Sequence, residues 1–133
     1  MSGSLVHRRA KQLPLVPRVK VWVECGDQYA FGFGLSEILQ AVERAGSIKQ
    51  AASDLGKSYR YIWGRIKEAE KVLGHQLVET KVGGKDPQRS FLTPMARQLL
   101  KRFLALRSRL IQMVRGEFAR QFAGAVPPQG KGS

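Results

Sequence analysis

Gly46-Ser47-Ile48-Lys49-Gln50-Ala51-Ala52-Ser53-Asp54-Leu55-Gly56-Lys57-Ser58-Tyr59-Arg60-Tyr61-Ile62-Trp63-Gly64-Arg65-Ile66 reads as two helices joined by a tight turn. Ser47 to Gln50 has the form of a capping box: the serine hydroxyl takes the Gln50 amide, and the glutamine side chain returns to the serine N–H. Ala51, Ala52 and Leu55 give the first helix a small apolar face, and Gly56 stops it. The turn Leu55-Gly56-Lys57-Ser58 has the length of a helix-turn-helix and contains its glycine. Ser58 is a second N-cap, and the helix behind it runs to Leu73 before Gly74. Ile62, Ile66, Ala69 and Leu73 define its inward face, at spacings of four, three and four.

Upstream, Arg18 opens a strict alternation. Val19, Val21 and Val23 are expected on one face of a strand, with Lys20, Trp22 and Glu24 on the other. Trp22 is expected to cover the long C-terminal helix or a partner. Gly26-Asp27 is a turn, and Tyr29-Ala30-Phe31 is the return strand. A helix over about Leu35 to Ala45 follows, carrying Leu35, Ile38, Leu39 and Val42 on one stripe and ending at Gly46. Downstream, Leu77 to Val82 alternates as a strand and Ser90-Phe91-Leu92 returns from it. Thr93-Pro94 then starts a long helix reaching about Phe122, with threonine as N-cap and proline at its first position. The expected fold is mainly α with small β elements: a winged helix-turn-helix with an N-terminal β-hairpin and a long C-terminal dimerisation helix. The expected organisation is a flexible basic arm over 1–17, the winged domain over 18–92, the long helix over 93–122 and a disordered tail over 123–133.

Composition narrows the function. The chain has 133 residues, 43% of them hydrophobic, and a formal charge of +13. A folded domain this basic points to a polyanionic partner, nucleic acid before an anionic membrane. One cysteine, Cys25, excludes a disulfide framework and a multi-cysteine zinc site. His7 and His75 have no ligand-like spacing, so neither a metal nor another cofactor is expected. There is no continuous apolar run of membrane-spanning length. Catalysis finds no support either. Gly32-Phe33-Gly34 lacks the third glycine of a dinucleotide turn, Glu37 standing there instead. Gly83-Gly84-Lys85 is not a phosphate-binding loop, because Glu79 occupies the place of its first glycine.

On the third helix, Arg60, Gly64, Lys67 and Lys71 fall opposite the apolar face. Three cations can meet phosphates or guanine edges, and the glycine lets the helix sit deep in a major groove. A solvated basic face is the bland alternative. Ser58 and Tyr59 lie at the helix N-terminus, where free amides favour phosphate. Lys57 and Ser47 complete the expected DNA contacts on this side. Lys81, Lys85 and Arg89 surround Gly83-Gly84 at the wing, where glycines admit close approach to a phosphate or simply satisfy a turn. Arg8, Arg9 and Lys11 suit a minor-groove arm or a solubilising tail equally. Tyr59, Tyr61 and Trp63 are a potential platform for unpaired bases, with packing at the domain edge preferred for Trp63.

The long helix carries two apolar sets. Ala96, Leu99, Phe103, Leu106, Leu110 and Met113 form one, and Leu100, Leu104, Ile111, Val114, Phe118 and Phe122 the other. A domain this small buries one set against itself and leaves the other for a symmetric partner. Leu99, Phe103, Leu106, Leu110 and Met113 are the expected dimerisation residues. One wide stripe buried in a monomer is the alternative.

Gly46-Ser47-Ile48, Ala51-Ala52, Gly56-x-Ser58-Tyr59, Trp63, Ile66, Leu77-Val78-Glu79, Gly83-Gly84-Lys85 and Leu92-Thr93 together resemble the N-terminal DNA-binding domain of ModE-type molybdate-responsive regulators. That domain is a winged helix related to the LysR type, and the resemblance covers about Arg18 to Phe122. It implies a bacterial or archaeal transcriptional regulator, cytoplasmic and nucleoid-associated, that dimerises through its helical and hairpin elements. Full-length members carry C-terminal molybdate-binding domains. These are absent from this chain, so no oxyanion-sensing role is expected. Lys85-Asp86-Pro87-Gln88-Arg89 replaces the longer glycine run of the family wing. The expected function is sequence-specific binding of double-stranded DNA by a homodimer. The alternatives are a winged-helix protein-interaction adaptor and a non-specific architectural DNA-binding protein.

Overall fold

A computed structural model describes residues 15–82 and 89–125. The expected arm cations Arg8, Arg9 and Lys11, the Gly83-Gly84 tip with Lys85, and most of the C-terminal tail lie outside the described residues. One compact unit spans Lys20–Arg107; described residues 15–19 and 108–125 belong to a second. Within the first unit the order is β1 (Trp22–Cys25), β2 (Gln28–Gly32), α1 (Phe33–Ala45), α2 (Ile48–Leu55), α3 (Tyr59–Leu73), β3 (Val78–Lys81) and β4 (Arg89–Leu92). The long helix α4 runs Pro94–Phe122 and contributes its beginning to this unit. No helix among the described residues is long and apolar enough to cross a membrane.

The core is built around α1. Leu35, Ile38, Leu39 and Val42 are buried on its inner stripe, as its spacing requires. They meet Ile48, Ala51 and Ala52 of α2 and Ile62, Ile66 and Ala69 of α3 in one cluster. Ala51 and Ala52 have almost no accessible surface, so small side chains let α2 and α3 approach closely. Leu73, expected in the buried set, is only partly buried at its edge. Three helix ends stop at glycines in left-handed conformation: Gly46 at φ 78°, Gly56 at φ 68° and Gly74 at φ 75°. The Ser47 hydroxyl accepts the Gln50 N–H at 3.0 Å, but the Gln50 side chain donates to Asp54 at 2.8 Å. The capping box is therefore half made. Helix α1 begins two residues earlier than expected, at Phe33.

Two antiparallel hairpins flank the helices. In β1–β2 the register pairs Trp22 with Gly32 and Cys25 with Gln28, with an irregularity between Val23 and Glu24. The strand expected from Arg18 is shorter: Val21 is half-buried against the core, but β1 itself is exposed along its length, Val23 to 43%. The irregularity breaks the alternation of faces that the valine spacing suggests. Ala30 and Phe31 of the return strand carry the hairpin's buried surface instead. Trp22 is half exposed, with its indole N–H donated to Glu24 at 3.0 Å, and lines a surface cavity with Phe33 and Gly34 of α1 and Arg65 of α3.

In the wing, β3–β4 pairs Val78 with Leu92 and Lys81 with Arg89. Its base is tied to the helices at several points. Ser90 N–H donates to the Gly46 carbonyl at 2.9 Å, and Thr93 N–H to the Leu77 carbonyl at 2.9 Å. The Thr93 hydroxyl donates to the Gln76 carbonyl and accepts the Ala96 N–H, the N-cap contact expected of it.

Helix α4 departs from its expected division of labour. Phe103 is 4% exposed, its ring 5.1 Å from that of Phe31. Leu99 is partly buried against the same core. Two of the five expected dimerisation residues are thus used inside the domain, Phe103 almost wholly and Leu99 in part, because the first turns of α4 close the core beside Phe31. Further along, Glu117 accepts hydrogen bonds from Gln121 and Arg120, which hold its carboxyl below the ordinary value.

Close packing at Ala51 makes a direct test. Ala51→Leu inserts a branched side chain where there is no free surface and is expected to cost about 1–3 kcal/mol. Urea unfolding followed by circular dichroism measures the loss.

Candidate nucleic-acid interface

Helix α3 has a buried back and an open front. With Ile62 and Ile66 sealed in the core, the 3.6-residue period turns Arg60, Gly64, Lys67 and Lys71 outward. Arg60, Lys67 and Lys71 are exposed. Arg60 and Lys71 make no salt bridge among the described residues. Lys67 is held differently from its neighbours. Its ammonium lies 3.2 Å from Glu70 Oε1 and 5.6 Å from the centre of the Trp63 ring. Glu68 is exposed as well, an acid at the edge of the stripe, on the side of Tyr61.

Gly64 is informative because the fold does not need it. A Cβ built there meets nothing within 4 Å, and its φ is not positive. Mid-helix glycine is less stable than alanine by about 0.5–1 kcal/mol. Gly64 therefore leaves the outer surface of α3 without a side chain at a position where the fold has room for one.

At the N-terminus of α3, Ser58 accepts the Tyr61 N–H at 3.0 Å, as its N-cap assignment predicts. Lys57, in the turn, lies 5.3 Å from the Tyr61 ring centre, and Arg65 lies 5.8 Å from the same ring. Arg65 also donates to the Tyr61 hydroxyl at 2.9 Å. Arg65 is not among the residues expected from sequence; its i,i+4 spacing from a tyrosine was the available signal. Tyr59 stands exposed beside the cap. Ser47 is half-buried at the N-terminus of α2, its hydroxyl engaged by Gln50. Trp63, expected at the domain edge, is 45% exposed.

The wing adds a second cationic element. Lys81 and Arg89 are exposed and directly opposed across the β3–β4 ladder. Like charges in that position repel, so an anion between them relieves the pair. Lys81 also stands 5.5 Å from the Phe91 ring centre. Lys85 lies outside the described residues. Glu70 connects wing and helix: its Oε2 accepts the Leu77 and Val78 N–H groups at 2.8 and 3.2 Å, while Oε1 meets Lys67. One carboxylate thereby sets the start of β3 relative to α3 and places a cation on the helix surface.

Residues 34–97 match the model of the bacterial regulatory helix-turn-helix protein, lysR family. The chain is 35% identical over 77 residues to the molybdenum transport protein ModE of Herbaspirillum seropedicae, covering 58% of this chain and 29% of that protein. It is 36% identical over 64 residues to the DNA-binding transcriptional dual regulator ModE of Escherichia coli K12, covering 48% of this chain and 24% of that one. The crystal structure of the BenM DNA-binding domain in complex with benA site 1 DNA matches with a TM-score of 0.50 at 26% identity, over 68% of this chain and 96% of that one. The chain spans less than a third of the length of these two curated relatives.

Gly64→Ala separates stability from recognition. It is expected to raise unfolding free energy by about 0.5–1 kcal/mol in urea titrations and to weaken binding of a duplex DNA fragment in fluorescence anisotropy.

Proposed function

We propose that this chain, a ModE-like protein whose residues 34–97 form a LysR-type helix-turn-helix, is a DNA-binding transcriptional regulator. In this reading α3 enters the major groove of a duplex and the wing meets the backbone or minor groove. The observation that carries it is the two-sided character of α3: Ile62 and Ile66 are sealed in the core while Arg60 and Lys71 are exposed, with open space over Gly64. Arg60 and Lys71 are the principal cations for phosphates or guanine edges. Lys67 acts from its place above Trp63. Ser58, Lys57 and Tyr59 approach phosphate at the helix N-terminus, and Lys81 with Arg89 grips the backbone from the wing. The work is binding and selection of sequence, with no chemical step.

A homodimer completes the reading. Leu106 and Met113 are 45% and 57% exposed on α4, at helical spacing with the half-buried Leu110. Pairing these stripes removes them from water and sets two recognition helices about one DNA turn, roughly 34 Å, apart on a palindromic site.

Salt titration tests the first part. Replacing Arg60, Lys67 and Lys71 together with alanine is expected to lower the slope of log K against log salt by about 0.9 for each phosphate that the variant no longer neutralises, with the fold retained by circular dichroism. An unchanged slope rejects α3 as the contact surface. Sedimentation equilibrium tests the second part: wild-type chain is expected to be a dimer and Leu106→Glu a monomer.

A further inference from the structure

We infer that Trp63 is a specificity-determining residue that reads thymine through its C5-methyl group in the major groove. The inference rests on the DNA-binding reading of α3 and assigns to it a contact of a different kind from those of the cationic stripe. Charged heads neutralise phosphates and bond to guanine, whereas the methyl that distinguishes a thymine edge calls for an apolar surface.

The placement of Trp63 is specific. Glu70 follows it by seven residues, two helical turns, and so shares its face. The Glu70 carboxylate bonds the first amides of the wing strand, Leu77 and Val78. Trp63 therefore lies on the flank of α3 that borders the wing. Its ring is 45% exposed, and Tyr59, one turn back, is 47% exposed. Gly64 beside it has no side chain to hold the helix away from a base edge, and a Cβ there would have open space. Lys67 sits over the indole, 5.6 Å from its centre, and is kept there by Glu70 at 3.2 Å. The ammonium thus brings charge to the indole, while a little under half of the residue's surface stays exposed.

Stacking on unpaired bases is the competing use of such aromatics. It requires adjacent open ring faces. Tyr61 falls on the opposite flank of α3 from Trp63, and its ring is attended by Lys57 and Arg65. The three aromatics do not form one platform, and of the two that share a flank, Tyr59 and Trp63, the indole carries Lys67 over its ring. A flat apolar edge bordering a cationic stripe suits methyl contact in an intact duplex.

The test begins with selection of duplex sites from a random 25-base-pair library by the full chain. The best site is then synthesised with thymine or, one position at a time, uracil, which lacks only the methyl. Burying one methyl corresponds to about a fourfold change in affinity. Wild-type chain is expected to lose about fourfold at one or two positions per half-site in anisotropy titrations. Trp63→Ala is expected to bind thymine and uracil duplexes equally, and Trp63→Phe to keep part of the difference. Circular dichroism checks that both variants fold, as an exposed ring allows. Equal wild-type affinity for both duplexes overturns the assignment. So does a selected site without an invariant thymine, or discrimination that persists in Trp63→Ala. Preference of the wild-type chain for single-stranded DNA through Trp63 supports the stacking use and overturns this one. Failure to bind any DNA rejects the underlying reading as well, whereas tight duplex binding without thymine discrimination rejects only the role of Trp63.

Discussion

The back of α3 has one way to pack, and its front follows from that. Ile62 and Ile66 are sealed against α1, and the methyl-sized side chains of Ala51 and Ala52 let α2 close over them. Rotating α3 by even one residue, about 100°, would bring a charged or bulky aromatic group into a core with no room for it. The outward positions of Arg60, Gly64 and Lys71 are consequences of apolar burial. The wing inherits the same frame, because Glu70, one residue beyond buried Ala69, holds the start of β3.

Charge on this surface is arranged more closely than the net value of +13 conveys. Several cations rest near aromatic rings: Lys57 and Arg65 at Tyr61, Lys67 at Trp63, Arg107 at Phe33. Such contacts are weak when exposed, about 0.5–1 kcal/mol, yet they restrict long side chains to a few orientations. Lys81, which rests near the Phe91 ring, also opposes Arg89 across the wing in a repulsive pairing. A polyanion turns that repulsion into attraction.

Helical periodicity was legible because burial in α1, α2 and α3 repeats at the helical period, and the Gly46, Gly56 and Gly74 stops follow from local backbone geometry. The valine alternation was legible as far as Val21, which packs against the core, but spacing alone describes a flat ladder and does not show the register irregularity between Val23 and Glu24, where Val23 is exposed. Phe103 and Leu99 were assigned to a partner because one-dimensional spacing cannot tell where a long helix leaves its own core. Glu70 and Arg65 escaped notice for a different reason. Their roles depend on groups in space: wing amides for Glu70, and for Arg65 a tyrosine on the flank of α3, away from the cationic stripe.

Amide chemical-shift mapping of the chain during titration with a duplex fragment, at about physiological salt, shows which surface meets DNA. The largest changes are expected at Ser58, Arg60, Gly64 and Lys71, with a second group at Lys81 and Arg89. Saturable binding that leaves α3 unperturbed and moves only β1–β2 or α4 would contradict a recognition role for this helix.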